Sequence, residues 1–229
     1  MIKKAMILAA GRGKRLQPLT NITPKALVEL NGLPLIVHHI QNLKRCGINE
    51  IVINLSHLGY KIEQYLGNGQ SFGIKISYSH EQDGGLETGG GIVNALPLLG
   101  DEPFLTVNAD IYCPFAFNEL PNLKNVLAHV VLVENPSHNP NGDYAIDGLL
   151  LSTRKDPKQY TFSGIAFYQA QFFENCQINK YSVTPLIKKM AERNLVSAQL
   201  TKTIWHDIGT EERLQQAKQS IISSSRGHY

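Results

Sequence analysis

Several short segments carry residues whose types and spacing suit phosphate chemistry. Leu8-Ala9-Ala10-Gly11-Arg12-Gly13-Lys14-Arg15-Leu16 follows an apolar run. Its glycines let backbone approach a ligand closely, so successive N–H groups can face a phosphate while Lys14 and Arg15 add positive charge. The segment is neither G-x-G-x-x-G nor G-x-x-x-x-G-K-[ST], and a plain surface turn fits its glycine and arginine content equally well. Lys25, in Pro18-Leu19-Thr20-Asn21-Ile22-Thr23-Pro24-Lys25-Ala26-Leu27, reads on its own as a solvated loop lysine. Asp110 stands at the end of Phe104-Leu105-Thr106-Val107-Asn108-Ala109-Asp110, where a carboxylate just past a buried strand is placed for Mg²⁺ or equally for a turn or cap. Asp207 in Trp205-His206-Asp207-Ile208-Gly209-Thr210 reads on its own as an N-cap or turn residue before the last helix, and Trp205 as core packing. Gly85-Leu86-Glu87-Thr88-Gly89-Gly90-Gly91 suits a helix N-terminus with Thr88 as cap.

Elements must position these residues. Apolar runs at Ala5 to Ala9, Glu50 to Leu55, Ile74 to Tyr78, Phe104 to Val107 and Ala128 to Val133 read as strands. They alternate with helical periodicity at Leu35 to Leu43, Leu58 to Leu66 and Thr88 to Leu99. Successive strand–helix–strand units predict an α/β fold, a mostly parallel sheet with helices on both faces and ligands beyond the carboxyl ends of its strands. After about Pro136 the rhythm changes. Asp143 to Ser152 is expected to form a hairpin around Asp147-Gly148, Phe162 to Tyr168 and Ile204 to Ile208 strands, and Val183 to Arg193 and Glu211 to Ile222 helices. This reading makes 1–222 a single domain and 223–229 a flexible polar tail, leaving no length for an appended β-helix or acyltransferase domain.

Taken together, L-A-A-G-x-G-x-R-L-x-P-L-T-x-x-x-P-K-x-L beside the first strand resembles the signature of the sugar-1-phosphate nucleotidyltransferases, and the later segments resemble its other motifs in order. The resemblance implies a Rossmann-like, GT-A-like fold with a smaller sugar-binding β insertion. It implies a nucleotide site at Leu8, Ala10, Gly11, Gly13, Lys14, Arg15, Lys25, Gly85 and Asn108, with Arg15 and Lys25 catalytic and Mg²⁺ held by Asp110 and Asp207. Asn141-Gly142-Asp143 and Phe162-Ser163-Gly164-Ile165 resemble the family's sugar contacts, which places Asp143, Ser163 and Gly164 at the sugar; a hairpin turn is an equal reading for Asp143. The family's E-K-P lysine has no counterpart, since Arg154-Lys155-Asp156-Pro157-Lys158 does not match it. Within the family the likeness is greatest to members joining UTP to N-acetylmuramic acid 1-phosphate in peptidoglycan recycling. Mannose-1-phosphate guanylyl and glucose-1-phosphate thymidylyl transfer are the alternatives.

Composition excludes other classes. The 229 residues hold 22 basic and 19 acidic side chains, a net +3, too weak for a dedicated nucleic-acid surface. Three cysteines, Cys46, Cys113 and Cys176, form no C-x-x-C pair and read as reduced thiols of a cytoplasmic protein. No apolar run approaches the roughly 20 residues of a membrane span, and Ala5 to Ala10 is too short for a signal-peptide core. The resemblance implies a nucleoside triphosphate and a sugar 1-phosphate as partners, and composition predicts no nucleic acid and no membrane; a monomer or small homo-oligomer is expected. His38-His39 has no carboxylate or cysteine at metal-ligand spacing. A nicotinamide oxidoreductase would need an acidic residue after the second strand, where Ile53-Asn54-Leu55-Ser56 stands. A catalytically silent sensor would be expected to lose Arg15, Lys25, Asp110 or Asp207, and all four are present. Cytidylyl transfer to a small alcohol phosphate uses a similar loop and is a harder rival.

Overall fold

Successive apolar residues suit a strand covered on both faces, and the computed structural model shows where each side chain goes. It describes residues 2–82, 84–117, 125–154 and 158–226, with side chains in the last helix described to 221. The strands in chain order are β1 Lys4–Leu8, β2 Glu29–Leu30, β3 Leu33–Pro34, β4 Glu50–Leu55, β5 Lys75–His80, β6 Phe104–Asn108 and β7 Ile111–Tyr112, then β8 Ala128–Val133, β9 Ala145–Asp147, β10 Leu150–Ser152, β11 Thr161–Tyr168, β12 Val196–Leu200 and β13 His206–Asp207. The helices are α1 Leu35–Arg45, α2 Gly59–Leu66, α3 Glu87–Leu99, α4 Thr184–Ala191 and α5 Glu211–Arg226.

Nine strands form one sheet in the order β5-β4-β1-β6-β11-β8-β12-β10-β9. Its first four are parallel to one another; β11 is antiparallel to β6 and β8, and β10 to β12 and β9. β12 is parallel to β8, so only β11 and β10 run against the rest. Side chains alternate between two cores because the strand period is two. Ala5 and Ile7 of β1 pack with Ile36 and Ile40 of α1 and Ile62 of α2, while Met6 packs on the other face with Ile92 of α3 and Ile187 of α4. A third cluster seats Leu214 and Ala217 of α5 against Leu30 and Ile208.

The expected elements are present, with several differences. β2, β3, β7 and β12 are additional strands. The Ile204 to Ile208 strand shrinks to β13, which pairs with β7 outside the main sheet. The last helix continues to Arg226, past Ile222 and into the expected tail. The hairpin turn is Gly148-Leu149, because Asp147 pairs with Leu150. Among the described residues no helix is long and apolar enough to cross a membrane.

Candidate active site

The chain leaves β1 at Leu8 and turns at once. The Ala9 amide donates to Asn54 Oδ1 at 2.7 Å, which ties the start of the loop to the end of β4. Gly13 has a φ of +65°, and a Cβ there would lie 2.9 Å from Thr20 Cγ2 and 3.2 Å from Lys25 Cβ. Glycine is therefore what allows the Pro18–Leu27 segment to close against the loop. Thr20 Oγ1 fastens the closure by donating to the Gly13 carbonyl at 2.8 Å. The result places the Lys25 ammonium against Asp110, with which it forms an ion pair; their side chains are 11% and 35% exposed.

A cleft of about 670 Å³ opens over these carboxyl ends. Leu8, Ala10, Gly11 and Lys14 line it from the first loop, and Lys25, Gly85, Asn108 and Asp110 line the remainder. Arg12 and Lys180 bring its cations to four, against Glu87 and Asp110 as its acids. A partly enclosed cationic cleft concentrates anions such as a triphosphate. Two expected nucleotide residues stand off its wall. Gly13 lies behind the loop, where it makes room for Lys25. Arg15 turns toward the second carboxylate: its Nη2 would lie 3.0 Å from a Cβ on Gly209, and Asp207 Oδ1 and Arg213 Nη1 would each lie 2.8 Å from that Cβ.

The two carboxylates are brought together by the β7–β13 ribbon. Asp207 pairs with Ile111 across it, and the Ile208 amide donates to the Asp110 carbonyl at 2.8 Å. Asp207 Oδ2 accepts from Arg213 Nη1 at 2.6 Å, with His138 Nε2 at 3.4 Å. Asp207 Oδ1 is buried without a hydrogen-bond partner. Asp207 itself lines neither the cleft nor the smaller cavity beside it, but its buried, unpartnered oxygen sits on a strand beside the Asp110 backbone and offers a ligand to Mg²⁺, which takes one or two carboxylates and completes its shell with phosphate and water oxygens. Among the described residues no three His, Cys, Asp or Glu side chains gather as a self-sufficient metal site. Below this turn His39 is buried against the backbone of Ala109 and Ile111, and burial lowers its pKa to about 4, keeping it neutral.

A cavity of about 120 Å³ adjoins the cleft, sharing Leu8, Thr88 and Asn108 with it, and Gly164 lines it. Gly164 sits where β11 shifts register against β8 between Phe162 and Ile165. Ser163 does not face this space: its fully buried hydroxyl donates to the Val131 carbonyl at 2.7 Å and accepts from the Ile165 amide at 3.1 Å. Its carbonyl accepts from Trp205 Nε1 at 2.9 Å, so Trp205 is a packing residue with its own anchor. Asp143 lines neither cavity. Its Oδ2 accepts from the Phe162 amide at 2.8 Å and its Oδ1 from Asn139 Nδ2 at 3.2 Å, the turn-stabilising alternative. Of the stretch compared with E-K-P, residues 155–157 lie outside the described residues, while Lys158 pairs with Glu134 at 2.7 Å on the surface.

Sequence reasoning missed Asn54, Glu81, His138, Lys180 and Arg213. Asn54 Nδ2 donates to Glu81 Oε1 at 2.6 Å, and Glu81 Oε2 accepts the Leu86 amide at 2.6 Å. Asn54 had a signal, as a polar residue ending a buried strand; the others had none. The glycine-rich Gly85–Gly91 segment divides in two. Gly85 lines the cleft, but the Gly89 and Gly90 amides both donate to the Tyr181 carbonyl, at 2.9 and 3.2 Å.

Comparison with known proteins assigns the class. Residues 4–142 match the nucleotidyl transferase family. N-acetylmuramate alpha-1-phosphate uridylyltransferase of Neisseria meningitidis serogroup B is 43% identical over 225 residues, covering 94% of this chain and 96% of that protein. The catalytic subunit beta of mannose-1-phosphate guanylyltransferase from Dictyostelium discoideum is 36% identical over 186 residues, 80% of this chain and 45% of the relative. Among solved structures, HddC from Yersinia pseudotuberculosis, complexed with GMP-PN, superposes with a TM-score of 0.79 at 22% identity, covering 96% of this chain and all of that one. The inositol-1-phosphate CTP transferase of T. maritima superposes with a TM-score of 0.77 at 17% identity, covering 95% and 96%; both share the fold. The chain belongs to the nucleotidyl transferase family, among its sugar-1-phosphate members. Its reaction class is transfer of a nucleotidyl group from a nucleoside triphosphate to a sugar 1-phosphate.

Proposed function

We propose that this chain uses UTP and N-acetylmuramic acid 1-phosphate to form UDP-N-acetylmuramic acid and pyrophosphate, with Mg²⁺ as cofactor. The observation that carries the specificity is the 43% identity to an N-acetylmuramate uridylyltransferase across nearly the whole of both chains. The Dictyostelium guanylyltransferase is less similar and extends well beyond the shared region.

In this reading an oxygen of the sugar phosphate attacks the α-phosphorus of UTP, and the bond from that phosphorus to the β-bridging oxygen breaks. The nucleophile is already an anion, so no side chain has to remove a proton. The barrier is the approach of two anions, and positioning and charge neutralisation lower it. The Gly11–Lys14 backbone holds the triphosphate. Lys25 exchanges its carboxylate partner for the α-phosphate. Arg15 supports the phosphates from the side of Asp207, and Gly85 and Asn108 meet the nucleoside and the acceptor. Asp110 and Asp207 would hold Mg²⁺, and Arg213 and His138 fix the direction of the Asp207 carboxylate. When bound, Mg²⁺ neutralises phosphate charge that the lysines leave uncovered. Gly164 borders the sugar; Asp143 and Ser163 shape that wall through the backbone they hold.

Pyrophosphate release tests this reading. The protein is incubated with each of four nucleoside triphosphates and a panel of sugar 1-phosphates, with Mg²⁺ and with chelator. Release with UTP and N-acetylmuramic acid 1-phosphate, abolished by chelator, is expected. Release confined to GTP and mannose 1-phosphate would overturn the substrates, and full activity in chelator would overturn the metal.

A further inference from the structure

Lys180 is a cleft cation to which the proposed mechanism gives no task. Arg12, Lys14 and Lys25 all come from the first 25 residues, whereas Lys180 reaches the same cleft from the loop before α4. It is exposed, its Nζ donates to the Gly84 carbonyl at 3.1 Å, and no carboxylate pairs with it among the described residues. Its backbone, in contrast, is held on both sides. A Cβ on Gly90 would lie 1.8 Å from the Asn179 carbonyl oxygen, so the loop packs directly on α3. Tyr181 is fixed through its carbonyl by the Gly89 and Gly90 amides, and its own amide donates to the Leu86 carbonyl at 3.1 Å. Two residues on, the Val183 amide donates to Thr88 Oγ1 at 2.9 Å.

The loop continues into Ser182, Val183 and Thr184, which line the smaller cavity beside Asn108 and Gly164. Lys180 lines the cleft itself, with its ammonium beside Gly84, and stands two residues before the first of these cavity residues. A cation on an anchored backbone, with a free stem and no acidic partner, suits an anion that arrives with the acceptor. The acceptor proposed above brings two anionic groups. Its phosphate must lie at the α-phosphate, within reach of Lys25 and the Asp110–Asp207 pair. Its lactyl carboxylate has no cation assigned to it.

We propose that Lys180 pairs with the lactyl carboxylate of the acceptor and so selects N-acetylmuramic acid 1-phosphate over sugars without that acid. This rests on the acceptor named under Proposed function. The test crosses three proteins (wild type, Lys180→Met and Lys180→Arg) with three acceptors at saturating UTP: N-acetylmuramic acid 1-phosphate, its lactyl methyl ester, and N-acetylglucosamine 1-phosphate. For a charge-assisted but solvent-accessible contact, Lys180→Met is expected to raise KM for the free acid roughly fivefold to tenfold. KM for the ester and melting temperature stay unchanged, and Lys180→Arg restores most of the loss. Esterification should weaken the acceptor in wild type and have no further effect in Lys180→Met. An equal rise with acid and ester would show that Lys180 serves the phosphate and would overturn the proposal while leaving the acceptor intact. A wild type indifferent to esterification would do the same. A wild type that uses N-acetylglucosamine 1-phosphate and ignores the muramic acid would overturn the acceptor itself.

Discussion

Replacing Lys25 with alanine separates charge neutralisation from nucleotide binding. The Lys25 side chain is only 11% exposed and faces Asp110, so it acts from a site that water reaches poorly. At about 4 Å and an effective dielectric of about 20, a unit charge pair is worth about 4 kcal/mol. Negative charge accumulates at the α-phosphate as the second anion arrives, so much of this contact is realised only in the transition state. Lys25→Ala should therefore lower kcat by about 10²–10³-fold. The remaining loop amides and cations still hold the triphosphate, so KM for UTP should rise only a few-fold. Asp110 is 35% exposed and loses one partner, which limits the change in stability to about 1 kcal/mol. The assay is steady-state pyrophosphate release at saturating acceptor, with thermal melting as the control for folding. A variant with normal kcat and a large increase in KM for UTP would refute the reasoning, because it would make Lys25 a ground-state anchor.

Three further substitutions probe other parts of the argument. Gly90→Ala places a methyl group 1.8 Å from the Asn179 carbonyl oxygen; the overpacking should cost roughly 1–3 kcal/mol and lower the melting temperature by several degrees, and an unchanged midpoint would contradict the packing. Asp207→Asn should raise the half-saturating Mg²⁺ concentration by at least the roughly 10–100-fold that loss of even a supporting partner brings, measured as activity against free Mg²⁺; an unchanged Mg²⁺ curve would remove Asp207 from the metal. Burial holds His129 neutral, with its pKa lowered to about 4. The folded state thus binds fewer protons than the unfolded state below about pH 6.5, so stability is full above that pH and falls, by up to about 3 kcal/mol, as pH drops toward 4. His129→Gln should shrink the fall in melting temperature between pH 7 and pH 4.5, and an acid limb identical to wild type would count against this assignment.

Contiguous features were legible in the sequence. The apolar run of β1, the glycine loop after it and Asp110 just past β6 depend on local pattern, whereas Lys25, a solvated loop lysine on that pattern, is only 11% exposed and paired with Asp110. What escaped reading depends on neighbours distant in the chain. β12 reads as half polar because Ser197 and Gln199 face β8, where they hydrogen-bond His129 at 2.9 and 3.1 Å. Gly89 and Gly90 look like a ligand turn until the loop about ninety residues later supplies the carbonyl that occupies their amides. Asp143 and Ser163 have the chemistry to bind sugar hydroxyls, but a backbone amide and a backbone carbonyl from neighbouring segments claim them first. Arg15 keeps its charge at the site yet points to Asp207, because Gly209 leaves the space for it.

These tertiary bonds also explain how two substrate walls built from distant segments hold one geometry. The Ala9 amide is bound by Asn54, Asn54 by Glu81, and Glu81 by the Leu86 amide, while the Leu86 carbonyl accepts from Tyr181. The loop after β1 is thereby joined to the loop before α4 by four hydrogen bonds that pass through α3's N-terminal turn. A reaction without acid–base groups depends on where its phosphates are held, and small misplacements carry large losses in rate. The Gly89 and Gly90 amides of α3 are committed to Tyr181, while cations and loop amides line the cleft. In the proposed reaction these backbone bonds fix the separation of the two cleft walls, and side-chain charge at the cleft lowers the barrier between the substrates.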